Sequence, residues 1–169
     1  MTSALLFSTI EVTRQAFFRT SLSYAIVNLK PLVPGHVLVI PTRPVTRLAD
    51  LNPSELSSLM TSVQQVGKVI EKVYEADGLT IACQETGQSV PHVHFHLMPR
   101  KLAGDRFSGR NDDVYPALEQ AESSLPRDLL QGHSTGASNA LKMDADEDRK
   151  PRSMEEMEKE ANWLSTHFA

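Results

Sequence analysis

Cysteine is almost missing from this sequence: Cys83 is the only one among 169 residues. That excludes an internal disulfide and any metal site built from several thiolates, and it removes the usual sign of an oxidising compartment. A lone cysteine is most often a small buried apolar side chain, and Cys83 is read that way. Long apolar runs are missing too. None nears the roughly 20 residues that a membrane-spanning helix needs, and the opening MTSALLF has neither the basic start nor the long apolar centre of a secretion signal. Charge of one sign is also scarce. With 17 basic against 21 acidic residues the net charge is −4, so no broad field draws nucleic acid or an anionic membrane, and any anion site must be local. The expected location is the cytoplasm, extending to the nucleus. A mitochondrial leader ranks lower, although Arg14 and Arg19 lie among several Ser and Thr.

What is present suffices for one domain over 1–169, because 40% of the residues are hydrophobic and a chain of this length buries one real core. From Leu22 to Arg100, short apolar runs alternate with proline and glycine. Tyr24–Asn28 and His36–Ile40 read as a hairpin across the turn Lys30–Gly35. Asn52, Pro53 and Glu55 supply an N-cap, a first-turn proline and a capping-box acid. The apolar period Leu56, Leu59, Met60, Val63, Val66, Ile70, Val73, Tyr74 then predicts one helix of roughly 22 residues. Leu79–Gln84 and His92–Met98 read as two more strands, joined through a turn at Gly87. The expected class is α+β: an antiparallel meander crossed by one long helix. Residues 119–152 are polar with few apolar anchors and read as a mobile loop, its acidic run Asp144–Asp148 solvated. Ser153 and Glu156 then cap a C-terminal helix over 153–168, whose apolar face Met154, Met157, Ala161, Leu164, Phe168 needs cover from this domain or a second copy.

The chemistry concentrates in His92, His94 and His96. On a strand, alternate side chains share a face, so three imidazoles point one way and Val93, Phe95 and Leu97 the other. Histidine is costly to bury without partners, which argues against a purely structural stripe. One metal shared by all three is also disfavoured: the outer α-carbons of such a strand lie about 13 Å apart, whereas zinc–nitrogen bonds are about 2.0 Å. Two of them with a further ligand such as His36 remain geometrically open. The stronger reading is attack at phosphorus by a neutral imidazole whose tautomer is set by a neighbour. Gly87 and the residues after it form a turn whose N–H groups can cradle phosphate oxygens.

Gly87-Gln-Ser-Val-Pro-His-Val-His-Phe-His-Leu-Met-Pro-Arg100 resembles the histidine triad signature, in which three histidines alternate with apolar residues. Asn28-Leu-Lys-Pro-Leu-Val-Pro-Gly-His-Val-Leu-Val39 and Arg110-Asn-Asp-Asp-Val-Tyr115 resemble its fragile histidine triad (Fhit) branch, the dinucleoside triphosphate hydrolases. The resemblance implies hydrolysis of diadenosine triphosphate to AMP and ADP through a nucleotidyl-histidine. It implies His94 as nucleophile, His96 on the phosphates, and His92 and His36 completing the histidine cluster. Asn28 is then a ribose ligand and Gln84 bridges the phosphate chain. Gly87, Gln88, Ser89 and Val90 line the α-phosphate, and Phe7, Ile26 and Leu38 sandwich the adenine. A divalent cation (Mg or Mn) travels with the substrate, with no protein-held metal, and the assembly is a homodimer. Only Glu85 and Thr86 separate Gln84 from Gly87, a shorter turn than the branch pattern, which leaves the preferred chain length open. Two alternatives are an adenosine phosphoramidase using the same nucleophile and a slow-turnover nucleotide sensor signalling through Tyr115.

Overall fold

Two apolar runs form the centre of the molecule. Ser23–Val27 (β4) and Val37–Pro41 (β5) are buried at every position, which requires cover on both faces of the sheet they build. The computed structural model describes residues 3–131 and 151–168. Before β4 come a small hairpin, Leu6–Phe7 (β1) and Ile10–Glu11 (β2), and the strand Ala16–Arg19 (β3). After β5 come the helix Pro53–Val73 (α1) and the strands Gly78–Cys83 (β6) and Phe95–Arg100 (β7). The helices Val114–Gln131 (α2) and Met154–Ser165 (α3) follow, the latter ending in a 3-10 turn, Thr166–Phe168. The expected hairpin is β4 against β5, its turn carried by Gly35 at φ +80° with the Tyr74 ring packed where a β-carbon would be.

The five-stranded sheet has the order β3-β4-β5-β7-β6, with every neighbouring pair antiparallel. This is α+β as expected but not a plain meander. β5 and β6 run parallel to each other with β7 inserted between them, so the chain needs a long crossover from β5 to β6, and α1 is that crossover. Asn52 and Glu55 form the expected capping box, with Pro53 in the first turn. α1 covers the face that carries Ser23, whose hydroxyl meets that of Ser62 at 2.7 Å, and Leu97, which faces Gly67.

The opposite face carries Ile26, Leu38 and His96, in register across β4, β5 and β7. It is closed by Phe7 of β1 and by α2. Residues 119–131, expected as loop, instead complete α2. Val114, Leu118, Leu125 and Leu129 recur at three- and four-residue multiples and are all buried, a helical stripe that the intervening charges and Pro126 concealed. The remainder of that expected loop through Lys150, with His133 and the acidic run, lies outside the described residues. α3 turns Met157, Ala161 and Leu164 into this domain's own core across β3 and β4, so its cover is internal.

Candidate active site

β7 begins at Phe95, three residues later than the expected strand, level with the end of β6: Val39 and Cys83 both pair with Phe95, and Cys83 is the last residue of β6. Upstream the chain continues as an approach segment held by the Val93 N–H on the Val45 carbonyl, 2.7 Å. His92, His94 and His96 are nevertheless all buried, at 0–1% exposure. The fold therefore had to partner each ring, and it does so differently for each.

His92 Nδ1 accepts from the Ser8 N–H at 2.9 Å, so Nε2 carries the proton and donates to the Pro41 carbonyl at 2.8 Å. Both nitrogens are used, which makes His92 a neutral tie between the β1–β2 turn and the end of β5. Burial pushes this ring down to about 4, against the pull of the Pro41 carbonyl. The consequence for stability has a definite sign. The unfolded chain takes up a proton at its ordinary value of 6.5 while the folded one resists until about 4, so stability present above 6.5 is lost as the pH falls between those values. Urea midpoints measured from pH 7 to pH 4 should fall less steeply in His92→Gln than in the parent.

His94 Nδ1 donates to the His92 carbonyl at 2.7 Å, which fixes the tautomer and points Nε2 into the site. His36 Nδ1 accepts from the Leu32 N–H at 3.1 Å, so its Nε2 donates to His96 Nδ1 at 3.0 Å, and His96 presents an Nε2–H in turn. The rings of His94 and His96 meet edge-on at 4.9 Å. Burial, then the neighbouring imidazole, holds His36 well below 6.5, and burial lowers His96 as well. The relay Leu32–His36–His96 thus delivers a neutral donor toward whatever sits between His94 and His96.

That position is taken by a residue the sequence reading missed. Glu122 of α2 places Oε1 3.2 Å from His94 Nε2 and 2.9 Å from His96 Nε2, at 2% exposure. Burial pushes its carboxyl up, but hydrogen bonds from His94 and His96 outweigh that and hold it well below the usual carboxylate range. No acidic partner was visible near the histidines because Glu122 is 28 residues beyond His94 and arrives only through α2. With it, His94, His96 and Glu122 offer three donor atoms within 4.8 Å of one another, a set whose chemistry suits a divalent metal.

The other expected residues surround this centre unevenly. Asn28 is buried, its amide nitrogen 3.2 Å from His36 Nε2 and its carbonyl held by Arg152, which also pairs with Glu160. Ser89 Oγ donates to Glu122 Oε2 at 3.5 Å. Val90 is buried and its carbonyl takes the His92 N–H. Gly87 adopts φ +86° in open space, and Gln88 reaches the Thr46 carbonyl at 3.0 Å. Gln84 Oε1 and Gln88 Oε1 are buried without a hydrogen-bond partner among the described residues, a cost that a ligand donor would relieve. Phe7 is fully buried, its ring 5.1 Å from His94 and 5.7 Å from His92. Cys83 is half-buried, and burial raises its thiol to about 11. His167 lies exposed beside Trp163.

The comparisons with known proteins agree on one relationship. The HIT domain model matches residues 9–103. A bis(5'-nucleosyl)-tetraphosphatase (asymmetrical) of Schizosaccharomyces pombe is 51% identical, over all of this chain and 97% of its own length. A bifunctional bis(5'-adenosyl)-triphosphatase/adenylylsulfatase of Arabidopsis thaliana is 43% identical, over 92% of this chain and 78% of its own. Among solved structures, the C. elegans NitFhit protein superimposes with a TM-score of 0.69 at 30% identity, covering 99% of this chain and 31% of that longer one. The histidine cluster, the sheet that carries it and these matches together establish that the chain belongs to the HIT domain family.

Proposed function

We infer that this protein is a dinucleoside polyphosphate hydrolase that cleaves diadenosine triphosphate to AMP and ADP through a covalent nucleotidyl-histidine. One observation carries the reading: the His94 Nδ1–H on the His92 carbonyl leaves Nε2 as the nitrogen able to attack. The relatives support the substrate class, since those quoted are named for bis(5'-nucleosyl) or bis(5'-adenosyl) polyphosphate hydrolysis. In the first step the Nε2 lone pair forms a bond to the α-phosphorus. The bond from that phosphorus to the bridging oxygen breaks, and its electron pair leaves with ADP. In the second step water attacks the same phosphorus, the N–P bond breaks, AMP departs, and His94 returns to its neutral tautomer.

His96, donating from Nε2, stabilises the charge that builds on the phosphate oxygens, with His36 holding its tautomer. Ser89 and the N–H groups after Gly87 receive the same phosphate, Gln84 bridges the chain, and Asn28 takes the ribose. Mg2+ or Mn2+ would enter with the polyphosphate as part of the substrate and would offset the charge on its phosphate oxygens. Trapping a labelled AMP adduct and mapping it to His94 tests reaction class and nucleophile together; an unlabelled protein during turnover overturns both. Relative rates on diadenosine triphosphate, diadenosine tetraphosphate and adenosine phosphoramidate settle chain length and separate the phosphoramidase alternative.

The working unit in this reading is a homodimer paired along β6. That strand ends the sheet, its outer edge unpaired among the described residues and Ile81 48% exposed, whereas α3 packs across β3 at the other end. An open edge with exposed apolar side chains favours a second strand. A monomer mass in sedimentation across micromolar concentrations is the result that excludes it.

A further inference from the structure

Glu122 rests where a substrate phosphate has to go. Its Oε1 contacts His94 Nε2 at 3.2 Å and His96 Nε2 at 2.9 Å, and its Oε2 accepts from Ser89 Oγ at 3.5 Å. These are the three side chains the hydrolase reading gives to the attacked phosphate. A phosphorus under attack approaches its nucleophile to about 3–3.5 Å, and the carboxylate fills that space. It also engages the attacking atom itself. At 3.2 Å from His94 Nε2, the carboxylate oxygen stands on the line along which an attacked phosphorus has to come. The cavity bounded by Asn28, His36, His96 and Glu122 measures about 10 Å³, room for about one water. Phe7, Ile26 and Leu38 are all buried.

The helix that delivers Glu122 is weakened at that residue. Pro126 lies inside α2, and a proline has no N–H to give the carbonyl four residues earlier, which it also crowds. That carbonyl belongs to Glu122. Before it, Val114 and Leu118 are anchored on Leu32, Val33, Met98 and Phe107, and after it Leu125 and Leu129 join the main core. The later half is tied from outside the phosphate position by Lys30, whose Nζ lies 2.5 Å from Asp128 and 3.4 Å from Ser124 Oγ.

We propose that Glu122 is an internal competitor for the substrate phosphate. At rest its carboxylate occupies the place of the attacked phosphoryl group between Ser89, His94 and His96. α2 must bend about Glu122–Pro126, with Lys30–Asp128 as its latch, before a nucleotide binds. The proposal rests on the hydrolase reading, and one set of measurements separates the two. AMP affinity by calorimetry and kcat and KM on diadenosine triphosphate are compared in the parent, Glu122→Gln and Asp128→Asn. The neutral amide loses the charge-assisted bonds and should tighten AMP binding and lower KM by at least about tenfold, with kcat equal or higher. Asp128→Asn, which leaves the phosphate position untouched, should act in the same direction by about two- to fivefold, and it decides the matter if Glu122→Gln does not fold. Unchanged AMP affinity in both variants overturns the proposal, as does a fall in kcat with unchanged affinity in Glu122→Gln, which makes Glu122 part of the chemistry. Tighter AMP binding in the variants together with no dinucleotide hydrolysis by any of the three proteins upholds the competitor and sinks the hydrolase reading.

Discussion

Alanine at position 94 should lower kcat on diadenosine triphosphate by on the order of 10^4- to 10^6-fold, the range seen when a covalent nucleophile is removed. Nothing nearby can take its place. His92 has both ring nitrogens committed, to the Ser8 N–H and the Pro41 carbonyl, and His96 Nδ1 accepts from His36. A loss of that size corresponds to roughly 5–8 kcal/mol of transition-state stabilisation, far more than a displaced hydrogen bond supplies. Binding should survive, because Ser89, His96, Asn28 and Gln84 remain. Single-turnover assays with AMP affinity measured alongside check both halves. A His94→Ala enzyme with parental kcat sinks the mechanism, and one that has lost AMP binding as well as turnover points to a collapsed site instead.

Leu97→Ala should give the complementary result, a large loss of stability with little loss of chemistry. Leu97 follows His96 in β7 but faces α1, is fully buried, and lies against the helix at Gly67. Truncating a buried leucine costs about 2–5 kcal/mol, the spread reflecting how far the surroundings collapse into the hole. In a chain of this length that lowers Tm by roughly 4–20 °C. Because strand side chains alternate between faces, the cavity opens on the side of the sheet away from His94 and His96. Calorimetry sets the first number, and kcat measured well below the lowered Tm checks the second. An unchanged Tm would mean that β7 is not the interior strand that α1 covers, and a kcat reduced a hundredfold would mean that the two faces are coupled.

The pair His96 and Leu97 also marks how far the sequence could be read. The alternation of histidine and apolar residues predicts a two-faced strand, and the structure has one, but the regular strand starts only at Phe95. Strand length depends on partner strands, and those come from far earlier in the chain, in β5, and from β6; a local pattern holds no information about where they stop. The capping box at Asn52 and Glu55 is a local interaction and was legible for that reason. The strand order was not recoverable, and a plain meander was read instead, since inserting β7 between β5 and β6 depends on where α1 sets down its C-terminal end. α2 was hidden because its apolar residues are spread thinly among charges and interrupted by Pro126, so its helix depends on a sheet surface to pack against.

By itself, the sequence determined the chemistry on offer: three histidines at alternate positions, a glycine turn ahead of them, Asn28 and His36 on a hairpin, and no second cysteine. Those are properties of short segments, written in residue type and period. The tertiary structure alone decided how each ring is used. His92 became a neutral tie because Ser8 and Pro41 close on it, His94 became the poised nitrogen because the His92 carbonyl takes its other proton, and His96 became a donor because His36 is fixed by Leu32. Tautomers follow from partners in three dimensions. So does the occupant of the site: Glu122 meets His94 and His96 only because α2 folds over the histidine face of the sheet, a contact no spacing in the chain could announce.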